Sequence, residues 1–302
     1  MAVYKCAGRK RLISDGSPAC SYQSENRWIG RCPECGGWYD IDVFGVQVTK
    51  AKTTLASAST ITEHYATGEK EFDLVLDGGL VKGQTILFGG MRGAGKTSFL
   101  IKLAALVASA KRPVIYASGE QNANDIGQFV SRIPGSSSEY VELMGNASEV
   151  RDITERAEEI GAFLTIYDSL QVMHAGESKG TEGSSAQGIA ITNIVTSHCK
   201  RTKQCAILIN HLSKAGEFAG SETVAHLVDT VIGFQFCFLE NEDEETSKSF
   251  PKRFRLGGES YKKLRCMYSE KNRYGSTSYS GYWEMTKTGL VEVRRKSKLE
   301  IV

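Results

Sequence analysis

The chain has 302 residues, with 37 Lys plus Arg against 35 Asp plus Glu and a hydrophobic share of 41%. That length suits one large domain with a small companion, and that share is enough for a sizeable core. No run of eighteen apolar residues occurs, so no helical membrane span is expected. The N-terminal MAVYKCAGRKRL has no apolar signal-peptide core, which points to a reducing cytoplasm and to thiols rather than disulfides.

In chain order, residues 1–45 come first and carry Cys6, Cys20, Cys32 and Cys35. Cys32-Pro33-Glu34-Cys35-Gly36-Gly37 reads as a knuckle, the tight turn that places two thiolates about 2.3 Å from one zinc ion. So short a segment has little core of its own, and metal would supply much of its folding energy. Cys6 and Cys20 are separated by thirteen residues, where a zinc ribbon usually has two, so unliganded thiols stand as the alternative. Residues 46–66 are polar, without a sustained period, and read as a linker.

From residue 67 to 302 the texture is that of an α/β domain. QTILF (84–88), PVIYAS (113–118), AFLTIYD (162–168) and QCAILIN (204–210) have strand length and apolar content. Helical patterns fall at 96–110, 122–133, 148–160 and 185–202. Strands alternating with helices predict a mostly parallel sheet covered on both faces. After 227, TVIGFQFCF, KLRCMYSEK, SGYWEMT and GLVEV read as an antiparallel extension of that sheet.

GGMRGAGKTS (89–98) holds G-x-x-x-x-G-K-T between a strand and a helix, the context that makes a phosphate cradle credible. Gly90, Gly93, Ala94 and Gly95 let backbone N–H groups face the phosphates of ATP, Lys96 reaches the γ-phosphate, and Thr97 and Ser98 open the helix. The Thr97 hydroxyl and Asp168, which ends a strand, are the expected Mg²⁺ ligands. Glu120 follows PVIYAS in S-G-E and would emerge beside the phosphates as general base; a helix N-cap carboxylate is its other reading. His211 ends the next strand as a γ-phosphate sensor or as a structural histidine, with Lys214 beyond it.

The charge is uneven. Residues 240–245 carry five acids, whereas 248–298 carry fourteen Lys or Arg against four Glu. Such a basic block suits a polyanion or is a solvated surface. Within it, Lys271 and Arg273 in EKNRYGS stand two apart near a strand end, where both point the same way.

The series of cysteine knuckle, linker, phosphate loop, S-G-E, strand-Asp-Ser, strand-His and K-N-R-Y-G resembles the bacterial RadA/Sms DNA repair ATPases over nearly the whole chain. RWIGRCPECGGW, HLSKAGEFAG and KNRYGST followed by GYWEMTKTGL carry the likeness most specifically. The resemblance implies a RecA-like P-loop ATPase core behind a four-cysteine zinc ribbon. It also implies a DNA-dependent ATPase and helicase, a hexameric ring on single-stranded or branched DNA, and a RecA-type recombinase as partner. In that family the K-N-R-F-G cations cross a subunit interface toward the neighbour's nucleotide, a role that would fall to Lys271 and Arg273. Contact with DNA, or with an acid on their own sheet, is the alternative. Loops 174–186 and 213–222 would face the channel, with Lys179 and Lys214 on DNA.

Departures from the family are the end at Val302, before its Lon-protease-like domain, Met91 and Arg92 in the phosphate loop, and Ile189 where an arginine is usual. That layout is one expected of a phage or mobile-element version, placed in a bacterial or host cytoplasm. Three functions follow: an ATP-driven motor on single-stranded DNA, an ATP-switched mediator that recruits a recombinase, and a P-loop kinase of a small substrate.

Overall fold

The computed structural model describes residues 3–5, 23–25, 62–176, 185–211, 222–237, 250–254 and 261–295. Chain contacts divide the molecule into two units, Met1–Thr60 and Ile61–Val302. In the first, β1 (Val3–Lys5) and β2 (Gln23–Glu25) pair antiparallel, Tyr4 opposite Ser24. Cys6, Cys20, Cys32 and Cys35 lie outside the described residues, as do Lys179 and Lys214.

The second unit opens with β3 (His64–Tyr65), α1 (Lys70–Val75) and β4 (Leu80–Val81), the two strands pairing antiparallel. Then come β5 (Thr85–Gly90), α2 (Lys96–Val107), β6 (Val114–Ser118), α3 (Ala123–Arg132) and β7 (Val141–Gly145). They are followed by α4 (Val150–Glu159), β8 (Leu164–Asp168), α5 (Ser185–Thr202), β9 (Cys205–His211), α6 (Glu222–Leu227) and β10 (Thr230–Phe236). β11 (Leu264–Asn272), β12 (Ser280–Thr286) and β13 (Gly289–Glu292) complete one nine-stranded sheet in the order β13-β12-β11-β10-β5-β9-β8-β6-β7.

The central strands bury both faces, and the sequence shows how. Ile86 and Phe88 join one apolar cluster while Leu87 joins the other. Val114 and Tyr116 part from Ile115 and Ala117 in the same way, as do Ile207 and Ile209 from Ala206 and Leu208. Successive side chains of a strand point to opposite faces, so a continuous apolar run marks a strand covered twice. On the first face α2 packs through an aromatic group: Phe99 meets Phe72, Phe88, Phe234 and Trp283 with ring centroids 5.3–6.1 Å apart. Helices α4 and α5 supply Val150, Ile153, Ala157, Ile191 and Val195 to the other.

The expected antiparallel tail needs one correction. β10 lies parallel to β5, Thr230 beside Ile86, and antiparallel pairing begins only at β11. The chain passes through α6 on its way from β9 to β10, and a crossover of that kind returns a strand in the same direction. β7 was not read from the sequence because it is the sheet edge, with five half-buried residues and no apolar run.

Candidate active site

The carboxyl ends of β5, β9, β8 and β6 lie side by side, and each delivers one element of the site. β5 runs into the Gly90–Gly95 loop, from which α2 starts at Lys96. Gly95 caps that helix at φ +104°, a conformation that L side chains rarely adopt, and no side chain caps the helix. Its first-turn N–H groups are therefore left to an anion, with the dipole adding to the attraction. Gly90 is held small by a close approach: a Cβ there would sit 2.8 Å from Lys96 Cδ and 2.9 Å from the Phe234 carbonyl.

Lys96 is buried, and its ammonium donates to the carbonyls of Gly90 (2.7 Å) and Met91 (3.2 Å). Burial lowers its pKa, against the pull of Asp168 and Glu120, with Arg92 adding to the lowering. The lysine thus folds back on its own loop. Ser98 is buried behind it, and Thr97 is half-buried on the first turn.

Asp168 ends β8 level with Ser118 of β6. Burial raises its pKa, opposed by the Tyr116 hydroxyl, which donates to Oδ2 at 2.7 Å. The side chain of Thr97 interacts with the same hydroxyl. Tyr116 therefore ties together the two oxygen donors expected to hold Mg²⁺. A buried carboxylate beside a hydroxyl is the hard-donor set that this ion takes, and the residues fit it.

Glu120 lies two residues beyond β6. Ser169 Oγ donates to its Oε1 at 2.5 Å, and His211 Nε2 stands 3.5 Å from the same oxygen. The contact with His211 first, and then that with Ser169, draws the carboxyl down to about 2 against the effect of burial. The N-cap reading of Glu120 is not what the structure shows: Asn122 caps α3, its side chain accepting from the N–H groups of Asn124 and Asp125. His211 ends β9 beside Gly90, and its Nδ1 is buried with no hydrogen-bond partner among the described residues.

Lys271 and Arg273 are at the opposite edge of the sheet. The Lys271 ammonium donates to the carbonyls of Ala225 (2.9 Å), His226 (3.1 Å) and Val228 (2.7 Å), between α6 and the start of β10. Burial and the neighbouring Arg273 lower its pKa. Arg273 pairs with Asp229 at 3.1 Å. Asp229 is 1% exposed and also accepts from the Thr85 N–H (3.0 Å) and from Lys200 (2.7 Å). Thr85 begins β5 and Gly90 ends it, so this chain's cations and its own phosphate loop are separated by about 16 Å of strand. Tyr274 is half-exposed, its hydroxyl accepting from Lys200 at 3.1 Å.

Ser169, Tyr116 and Asp229 were missed in the sequence. The dyad Asp168-Ser169 and the acid in HLVDT were visible there, but only the fold brings Ser169 to Glu120 and Asp229 to Arg273.

A family model described as an AAA domain matches residues 51–217. DNA repair protein RadA of Campylobacter jejuni is 29% identical over 91% of this chain and 59% of its own length. RadA of Streptococcus pyogenes is 30% identical over 93% of this chain, again 59% of its own length. The chain thus spans about three fifths of the curated relatives that it matches. Among solved structures, a KaiC-like protein of Pyrococcus horikoshii covers 77% of this chain and 99% of its own at 16% identity, TM-score 0.56. A second solved structure, an isolated ATPase domain, covers 78% and 93% at 14% identity, TM-score 0.59. Those likenesses establish a RecA-like P-loop ATPase fold, and none of the helices among the described residues is long and apolar enough to cross a membrane. With the family model matched over more than half of its residues, the chain belongs to the AAA domain family.

Proposed function

We propose that this chain is an ATP-hydrolysing, single-stranded-DNA-binding motor that works as a homo-oligomeric ring, hexameric as the RadA resemblance implies, on intermediates of DNA recombination and repair. The observation that carries the proposal is the division of the site. The phosphate loop, Asp168, Glu120 and His211 share one edge of the sheet, and Lys271 and Arg273 stand at the other, anchored but half-exposed. A second copy stacked head to tail brings its basic edge to the first copy's nucleotide, and repetition of that heterologous contact closes a ring.

In this reading the loop amides and the α2 N-terminus take the β- and γ-phosphates. Lys96 leaves the Gly90 and Met91 carbonyls for the γ-phosphate. Thr97 and Asp168 would hold Mg²⁺, which when bound neutralises phosphate charge. Glu120 orients the attacking water. At about 2 it is a poor proton acceptor in the free protein, and the negative γ-phosphate raises it toward use. His211, on the same carboxylate, reports whether the phosphate is there. The DNA contacts of Lys179 and Lys214 and the four-cysteine zinc site belong to the proposal on sequence grounds alone.

Glu120→Gln keeps the hydrogen-bonding shape and removes the base, so hydrolysis falls about 10²-fold while ATP stays bound. Single-turnover phosphate release beside nucleotide titration checks this. Equal loss of binding and turnover refutes the role given to Glu120.

The function as a whole is tested by strand displacement on a forked DNA with a single-stranded tail. ATP-dependent displacement is the expected result, with binding that weakens as salt rises. DNA binding without displacement assigns the mediator role instead, and absence of DNA binding overturns both.

A further inference from the structure

Arg265 is a buried arginine whose charge is not balanced by any acid among the described residues. It is 6% exposed, and no carboxylate there lies within ion-pair range. It sits on β11 opposite Phe236 of β10, with the guanidinium 4.2 Å from the centre of the Phe236 ring. Its Nη1 donates to the carbonyls of Lys262 (3.2 Å) and Leu264 (3.1 Å). Its Nε donates to the Ala94 carbonyl at 3.2 Å, which puts it behind the phosphate loop. β10 is fixed to the same loop by the Met91 N–H on the Phe234 carbonyl, 3.2 Å.

Desolvating a guanidinium without a counter-ion is costly, and three carbonyl contacts offset only part of that. Burial lowers its pKa, yet a guanidinium keeps its proton at any pH a protein survives. The contact to Ala94 shows where the charge is directed. The Ala94 carbonyl and the Gly95 N–H belong to one peptide unit, with the oxygen toward Arg265 and the N–H in the loop that opens α2. Drawing electron density from the oxygen strengthens the N–H as a donor, because hydrogen bonds in series polarise one another. The positive charge also lies behind the loop in a low-dielectric setting, where it is little screened.

We propose that Arg265 is a positioning residue for the nucleotide: a buried cation behind the phosphate loop that fixes the Ala94–Gly95 peptide and whose counter-charge, lacking among the described residues, is supplied by the bound phosphates. This rests on the reading of residues 90–97 as a nucleotide site. It is distinct from the cations proposed to act between subunits, because Arg265 serves the loop of its own chain.

The variants are Arg265→Met, which keeps the packing on Phe236 without charge, and Arg265→Lys, which keeps charge without the fork. ATP with Mg²⁺ and adenosine are titrated against each, and thermal midpoints are taken without nucleotide. Arg265→Met is expected to melt at or above the unsubstituted chain, since an unbalanced charge is gone. It should bind ATP at least about tenfold more weakly and adenosine unchanged, with a smaller thermal shift on adding ATP. Arg265→Lys should fall between the two. ATP affinity within about twofold of the unsubstituted chain, or an equal loss for ATP and adenosine, overturns the proposal. So does an Arg265→Met chain that is unfolded or melts lower without nucleotide, because Arg265 is then a strut of the fold. If the unsubstituted chain binds no ATP, the nucleotide site itself is wrong, an outcome separable from the rest.

Discussion

Lys96→Ala slows ATP hydrolysis by about 10²–10³-fold, the loss expected when one preorganised cation at a developing charge is removed. The ammonium is held by the Gly90 and Met91 carbonyls, 2.7 and 3.2 Å away, and its stem lies against Gly90. No carboxylate among the described residues pairs with it directly; Asp168 and Glu120 only raise its pKa from a distance, against burial. The charge is therefore stored at the site without a full counter-ion and becomes most effective when phosphate arrives. Two outcomes separate this from a structural role. Thermal unfolding of the Ala variant without nucleotide should lie close to that of the unsubstituted chain, since a buried charge leaves with its contacts. Lys96→Arg should fail almost as badly as Ala, because a Cβ on Gly90 would already sit 2.8 Å from the lysine stem and the wider guanidinium has no room. Steady-state phosphate release measures all three. Hydrolysis of the Ala variant within tenfold of the unsubstituted chain would exclude Lys96 from the chemistry.

How much of this was legible beforehand depended on where each signal lay. β5, β6, β8 and β9 stand where their apolar runs placed them, because strands buried on both faces leave unbroken hydrophobic text. The phosphate loop was legible for a local reason: glycine spacing, lysine and flanking elements all fall within a few residues. β7 and α1 left weaker traces, one an edge strand of half-buried residues and the other a single short helix. The direction of β10 could not be read from its own residues, since TVIGFQF fits a parallel or an antiparallel neighbour equally well. Only the crossover through α6 decided it.

The site divides in the same way. Glu120 and Asp168 were identifiable as acids after strands, but not the contacts that set their acidity. Glu120 is pulled down to about 2 by His211, 91 positions later, and by Ser169 on a different strand end. Asp168 is pushed up by burial that the whole sheet creates. Arg265 read as one more cation in a basic tail. Its burial and its contact with Ala94, 171 positions away, come from the antiparallel return of β11 along β10. Chemistry carried by neighbours in sequence was open to inspection, and chemistry carried by neighbours in space was not.

The second large effect belongs to Arg273. Alone, Arg273→Ala is expected to lower turnover by about 10³-fold with ATP binding nearly intact, the size of effect known for an arginine supplied across an interface. In the proposed reading the loss acts between chains, because Arg273 stands far from its own phosphate loop. Arg273 is held by Asp229, which is itself fixed by the Thr85 N–H and Lys200, so the guanidinium is committed to the edge where β5 begins. The phosphate loop lies past its other end, about 16 Å of strand away. Mixing settles the matter. A Lys96→Ala chain keeps its basic edge and loses its loop, and an Arg273→Ala chain keeps its loop and loses the finger. Combined in equal amounts, they rebuild an intact interface wherever an Arg273→Ala loop meets a Lys96→Ala edge, about one interface in four if assembly is random. Phosphate release from the mixture should then rise well above the sum of the two separate rates, toward about a quarter of the unsubstituted rate. A mixture that only matches that sum means that each site is built within a single chain, which keeps its own lesion. So does an Arg273→Ala chain that hydrolyses at full speed as a monomer, and either result removes the ring from the mechanism.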